Sequence, residues 1–219
     1  MPVSAPVGKV QDLFVNFEFH GKHIKLKVGS VQPTEKNFMR PHHVGDVLFT
    51  SEQIQQRVHA LIAEIAKTCE AENLVMVGIL RGSFIFLADL VRGFAVHDLH
   101  PRIDFITLSS YGSGTESSGT VKILHDTRED LCGADVVIVD DILDSGRTLA
   151  FAKDLFLKRG ARSVKTCVLL DKTTGRAVDL TADYAGFPVG DDFVVGYGLD
   201  YDNRYRELPH IAKVTFLET

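Results

Sequence analysis

The chain has 219 residues, 45% of them hydrophobic and 24% charged, with 24 Lys and Arg against 29 Asp and Glu for a net charge of -5. This is the balance of an ordinary globular protein with one sizeable core, and it excludes global disorder. The charge is spread along the chain, which argues against sequence-independent binding to nucleic acid, because that needs concentrated Lys and Arg. Cys69, Cys132 and Cys167 have no CxxC spacing and read as small core hydrophobes in a reducing cytoplasm. No basic stretch leads into an apolar run at the start, and no segment approaches membrane-spanning length, so secretion and membrane insertion are disfavoured.

In chain order, Val15 to Phe19 and Ile24 to Val28 alternate apolar and polar residues around His20-Gly21-Lys22-His23, which predicts a β-hairpin with one buried face. Val31 to Gly45, with Pro33, Pro41 and the His42-His43 pair, reads as a connection packed against the main domain. Residues 1–47 are therefore assigned to an extension and 48–219 to the main domain. Thr50 and Gln53 form a capping box for a helix with Ile54, Val58, Leu61, Ile62 and Ile65 on one face. There follow a strand Leu74 to Leu80, a helix Phe84 to Gly93, a strand Ile103 to Leu108, a polar glycine-containing excursion and a strand Val121 to Leu124. A strand at Val136 to Val139, a helix ending before Gly160 and a strand Val164 to Leu170 continue the alternation. The pattern predicts an α/β fold with a mainly parallel sheet flanked by helices. From Thr173 onward, short strand-like runs and turn residues predict a small hood, built with the N-terminal segment over the sheet's carboxyl edge.

The segment Val136 to Leu149, VVIVDDILDSGRTL, carries the chemistry. Four β-branched residues suit a strand buried on both faces, and ligands bind at the carboxyl ends of such strands. Asp140 and Asp141 stand at that end and suit either sugar hydroxyls or Mg2+, a hard cation that prefers oxygen. Ser145, Gly146, Arg147 and Thr148 lead into a helix, where exposed N–H groups and the helix dipole favour a phosphate. Arg81-Gly82 also joins a strand to a helix, and its small residue permits close approach to a diphosphate. The combination points to a sugar phosphate as ligand.

Strand, two acids, two hydrophobes, Asp144 and then Ser-Gly-Arg-Thr resembles the phosphoribosyl diphosphate signature of type I phosphoribosyltransferases. More narrowly, the chain resembles the hypoxanthine-guanine phosphoribosyltransferases, through ILRGSFIFLADL at Ile79 to Leu90, SSYGSGTESSGTVKI at Ser109 to Ile123, LLDK at Leu169 to Lys172 and FVVGYGLDYDNRYREL at Phe193 to Leu208. The match runs from about Leu48 to about Phe216. It implies transfer of a 5-phosphoribosyl group from phosphoribosyl diphosphate to N9 of a 6-oxopurine, with Mg2+ as cofactor and a homodimer or homotetramer as the assembly. By the same resemblance, Asp140 and Asp141 bind the ribose hydroxyls and Asp144 is the acid/base beside purine N7. Arg81, Gly82 and the 145–148 loop hold the phosphates, and a cis peptide joins Leu80 to Arg81. Lys172 reads the 6-oxo group, Phe193 stacks on the purine and the Val194 backbone reads its edge. Asp200 lies near the base's 2-position and carries a second Mg2+, Asp140 and Asp141 completing the metal-facing acids. Arg206 neutralises the leaving diphosphate, and Ser110-Tyr111 opens a lid that excludes water. The family usually has Glu where this chain has Asp140, whose reach is shorter.

Competing patterns fail in context. Asp140, Asp141 and Asp144 spell the DDxxD of isoprenoid synthases, but that motif belongs on a helix, and here it follows a β-branched strand. Gly112, Gly114 and Gly119 do not fit GxGxxG, and no GK[ST] follows. Asp200 onward lacks the Gly and Glu of a calcium loop, since Tyr205 and Ile211 occupy those positions. The pairs His20/His23 and His97/His100 read as surface histidines. A nucleotide sensor without catalysis is the alternative from another class, and a xanthine-preferring enzyme the alternative within the fold. The joint presence of the lid, Lys172, Asp144 and Arg206 weighs against the sensor.

Overall fold

The computed structural model describes residues 12–19, 22–30, 40–69, 71–110 and 121–217, with side chains described from Arg40 onward except those of Ala71 and Ser110. The chain divides into two compact units, Met1–Arg40 and Pro41–Thr219. In the first, β1 (Asp12–Phe19) pairs antiparallel with β2 (Lys22–Ser30), Phe19 opposite Lys22, with a register shift between Leu13 and Phe14. The expected hairpin is present, with strands longer than the alternation alone marked.

The second unit runs β3 (His42–Phe49), α1 (Ser51–Thr68), β4 (Leu74–Leu80), α2 (Phe84–Gly93), β5 (Arg102–Ser110), β6 (Val121–His125), β7 (Asp135–Leu143), α3 (Arg147–Lys158), β8 (Ser163–Lys172), β9 (Tyr184–Val189), β10 (Val194–Val195) and β11 (Ile211–Phe216). A six-stranded sheet has the order β6-β5-β4-β7-β8-β9, parallel except for the β5–β6 pair. Successive side chains of a strand face opposite sides, so one continuous apolar run feeds two cores. Val137 and Val139 join Met76, Leu169 and the buried faces of α1 and α2, whereas Val136 and Ile138 join Val75, Val77 and the Leu149, Ala152 and Phe156 stripe of α3. The capping box of α1 forms as expected, Thr50 Oγ1 accepting from Gln53 N at 3.3 Å and Gln53 Oε1 from Thr50 N at 2.8 Å.

The order matters for the site. From β4 the chain steps one way to β5 and later returns on the other side as β7, so their carboxyl ends part at a topological switch point. Over it stands the hood, an antiparallel sheet β10-β11-β3 that joins the first strand of this unit to its last.

Three expectations need correction. His42–Gly45, read as part of a connection, belongs to β3; the strand is half exposed and its pairing with β11 is irregular, so it lacks clean alternation. Tyr184–Val189, read within the hood, instead extends the main sheet beside β8. Gly186 and Pro188 look like turn residues, but Pro is tolerated on an edge strand, and a Cβ at Gly186 would stand 2.2 Å from Leu169 O. Cys132 is exposed, and only Cys167 is a buried core thiol; Cys69 is half-buried. Among the described residues no helix is long and apolar enough to cross a membrane.

At the opposite end of β7, the Asp135 carboxylate accepts from Arg162 Nε at 3.0 Å and Ser163 Oγ at 2.6 Å. Arg162 above all holds this carboxyl below its usual range. Stabilisation of this sign is present above the unfolded carboxylate range and is lost as pH falls through the folded value. Asp135→Asn is therefore expected to cost about 1–2 kcal/mol at neutral pH, with the half-exposed Arg162 limiting the effect. Denaturant unfolding across pH checks this; a difference from wild type that stays constant into acid would remove the ion pair from the account.

Candidate functional site

At the switch point β7 carries Asp140 and Asp141 among its last residues, and Asp144 follows directly on its end. Asp140 is buried, Asp141 half-buried, and Asp144 exposed. Asp141 N donates to Asp140 Oδ1 at 3.1 Å and Ile142 N to Asp141 Oδ1 at 2.9 Å. Burial, then the neighbouring charge of Asp141, pushes the Asp140 carboxyl well above its usual range. Burial also raises Asp141, opposed by its hydrogen bonds and by the positive charge of Arg206. Gly146, at φ +80°, makes the turn into α3, a conformation that suits glycine. Asp140, Asp141, Asp144, Ser145, Gly146 and Thr148 wall a cavity of about 300 Å3. Arg147 is exposed at the helix start.

Facing them across the switch point, the Leu80–Arg81 peptide is cis. Gly82 is buried and Arg81 exposed. Ser83 Oγ donates to Ile79 O at 2.6 Å at the start of α2. A Cβ on Gly82 would lie 1.5 Å from Asp141 Oδ2, and one on Gly198, at φ +104°, would lie 2.2 Å from Gly82 O. Glycine is thus required twice, so that the hood loop, the 81–82 loop and the acid can touch in series. Arg206 closes this series: Nη1 donates to Gly198 O at 2.6 Å and Nη2 pairs with Asp200 Oδ1 at 2.6 Å.

Lys172 is the last residue of β8, with Nζ 3.6 Å from Asp144 Oδ2, so strand geometry brings the expected base reader to the expected acid/base. Phe193 is 42% exposed, edge-on to Tyr201 and Phe216 with ring centroids 5.5 Å away in each case. Val194 lies in β10, the edge strand of the hood, opposite Lys213. Asp200 does not line the acid cavity; it meets Arg206 and accepts from Asn203 N at 2.7 Å. Ser110 ends β5, and Tyr111 with the rest of the lid to Thr120 lies outside the described residues. Among the described residues no three His, Cys, Asp or Glu side chains form a metal cluster.

One group escaped the sequence reading. Arg176, in the turn after β8, donates from Nη1 to the carbonyls of Leu143 at 3.0 Å and Asp144 at 2.9 Å, and pairs through Nη2 with Asp171. Backbone acceptors leave no mark in a sequence, and only the Asp171/Arg176 pairing of opposite charges could have hinted at it.

Residues 46–202 match the family described as Phosphoribosyl transferase domain. With this sheet, switch point and acid-plus-loop site, the chain belongs to the phosphoribosyltransferase family. Within that family it is similar to hypoxanthine-guanine members. It is 44% identical over 174 residues to the hypoxanthine-guanine phosphoribosyltransferase of Bacillus subtilis, covering 80% of this chain and 95% of that one. It is 46% identical over 166 residues to the bifunctional protein TilS/HprT of Listeria monocytogenes, where the match covers 76% of this chain and spans only 25% of the longer relative. The crystal structure of a hypoxanthine phosphoribosyltransferase from Staphylococcus aureus superposes with a TM-score of 0.74 at 42% identity, covering 78% of this chain and 92% of that one.

The Gly82–Asp141 contact yields a coupling test. Gly82→Ala should destabilise the wild type but cost at least about 1 kcal/mol less in an Asp141→Ala background, since neighbours that clash are non-additive. A thermal or denaturant double-mutant cycle measures this, and strict additivity would mean that the two residues do not touch.

Proposed function

We propose that this protein is a purine-salvage enzyme, a hypoxanthine-guanine phosphoribosyltransferase, that moves a 5-phosphoribosyl group from phosphoribosyl diphosphate to N9 of hypoxanthine or guanine. The observation that carries the reading is Lys172 Nζ standing 3.6 Å from Asp144 Oδ2 at the rim of a cavity walled by two further acids and a small-residue loop. In this reading the 5-phosphate meets N–H groups of the Ser145–Thr148 loop and the start of α3. Asp140 and Asp141 accept from the ribose 2′ and 3′ hydroxyls. Arg81, Gly82 and Arg206 receive the diphosphate, and Arg206 gathers charge as the bond to C1 breaks.

The purine lies on Phe193 with its 6-oxo group at Lys172 and its edge at Val194. An ammonium has only donors, so adenine's amino group would face a donor with a donor. As the N9–C1 bond forms, the diphosphate leaves with the electrons of the C1–O bond, and Asp144 takes the N7 proton that the base must lose. The transition state has oxocarbenium character, which the surrounding carboxylates favour. The lid beginning at Ser110 and Tyr111 keeps water from C1.

The donor set suits Mg2+. Asp200, Asp140 and Asp141 offer only oxygen, and Mg2+ is commonly bound by one or two carboxylates plus substrate phosphates instead of an all-protein cage. When bound, Mg2+ supplies charge neutralisation on the diphosphate. A cytoplasmic homodimer or homotetramer completes the reading.

Nucleotide formation from phosphoribosyl diphosphate and Mg2+ with hypoxanthine, guanine, xanthine and adenine in parallel tests it. Turnover with the first two and not adenine is expected, and chelation with EDTA should abolish it. Nucleotide binding without turnover on any base would favour a sensor, and preference for xanthine would move the assignment within the fold. Asp144→Asn should lower kcat by roughly 10²–10⁴-fold, the usual contribution of a positioned acid/base, with donor affinity little changed. Unchanged turnover would remove Asp144 from that role.

A further inference from the structure

Three consecutive carbonyls at the mouth of the phosphate loop are held from one side by one turn. Arg176 takes those of Leu143 and Asp144, and Ala177 N donates to Ser145 O at 3.0 Å. The guanidinium is itself fixed by Asp171, which lies opposite Leu143 in the β7–β8 ladder. Both partners are largely buried, with side chains 22% and 23% exposed. Further along the same segment, Val178 and Leu180 stand 3.3 and 3.7 Å from where a side chain on Gly146 would begin.

A trans peptide is planar, and its N–H and C=O point in opposite directions. Holding the carbonyls of residues 143, 144 and 145 toward the turn therefore directs the N–H groups of Asp144, Ser145 and Gly146 away from it. Those three residues line the acid-walled cavity. Successive N–H groups presented together form an anion-binding concavity, and the start of α3 adds its dipole. We propose that Arg176 is a positioning residue that, with the Ala177 backbone, clamps the loop so that these N–H groups converge on the 5-phosphate of donor and nucleotide. This rests on the reading of the cavity as a phosphoribosyl site. Arginine suits the task because its rigid fork of donors spans two carbonyls and a carboxylate at once, whereas lysine offers one nitrogen on a flexible stem.

The test compares full-length wild type, Arg176→Met and Arg176→Lys, measuring affinity for IMP and for inosine, which lacks the phosphate, together with KM for phosphoribosyl diphosphate and for hypoxanthine. Arg176→Met is expected to weaken IMP binding and raise the donor KM by about tenfold or more, as loss of charge-assisted hydrogen bonds allows, while inosine affinity and hypoxanthine KM stay little changed. Arg176→Lys keeps the charge beside Asp171 and should recover part of the loss; if the methionine variant does not fold, the lysine variant must show the same phosphate-selective defect in smaller degree. Equal losses for IMP and inosine, or no change in either IMP affinity or donor KM, would overturn the clamp. A wild type that binds IMP better than inosine but turns over no base would overturn the proposed activity and leave the clamp to be judged by binding. A wild type without that preference would overturn the phosphate site and the clamp together.

Discussion

Two carboxylates, one buried and one half-buried, stand side by side near the end of β7, where the chain's connections part, and much of the surrounding structure serves to keep them there. Burial raises both carboxyls, and the neighbouring charge of Asp141 raises Asp140 further. Such a pair is a standing cost in the ligand-free protein, and no local preference of a Val-Asp-Asp-Ile segment would hold it in place. What holds it is the strand beneath, whose residues feed a core on each side of the sheet and pair with β4 and β8. In the proposed reaction, ribose hydroxyls and metal-bound diphosphate add partners to the backbone N–H groups that the acids already accept from, so binding is coupled to relief of that cost.

The second constraint is distance. Gly82 lies against Asp141, Gly198 against Gly82, and Arg206 holds Gly198 through its carbonyl. The contacts run from the hood through the 81–82 loop to the acids, which makes the hood part of the site. A purine seated on Phe193 and a diphosphate at Gly82 would therefore meet elements already in contact, and the reacting atoms would be set by packing more than by side-chain reach.

Much of this was legible in the chain because the relevant signals are local. The apolar run at Val136–Val139, the spacing of Ile54, Val58, Leu61 and Ile65, the Thr50/Gln53 box and the Phe84–Gly93 helix each declare themselves within a few residues. The acids and the glycine turn into α3 were readable for the same reason. What escaped depends on approach from afar. Tyr184–Val189 reads within the hood because nothing local reveals that it borders β8 as an edge strand. Arg176 escaped because its acceptors are backbone oxygens more than thirty residues away in sequence, 33 for Leu143 and 32 for Asp144. The glycine contacts could be suspected from composition but not paired, since Gly198 and Gly82 meet only once the hood is folded.

The treatment of charge ties the site together. A phosphoribosyl donor is a polyanion, yet the chain has net charge -5, with 24 Lys and Arg against 29 Asp and Glu. Three of its site cations are instead paired in advance: Lys172 with Asp144, Arg206 with Asp200 and Arg176 with Asp171. In the proposed reaction the first two pairs face the reactants, and the third braces the loop from behind. Binding a polyanion at Arg206 would compete with Asp200 and leave that carboxylate able to meet a divalent cation. A 6-oxo group at Lys172 would likewise leave Asp144 facing N7. In this scheme each substrate exchanges a partner within an existing pair, so the acids assume their roles only when the matching group arrives. The pair behind the loop has no substrate to exchange with, and its constancy keeps the backbone N–H groups aimed at a phosphate.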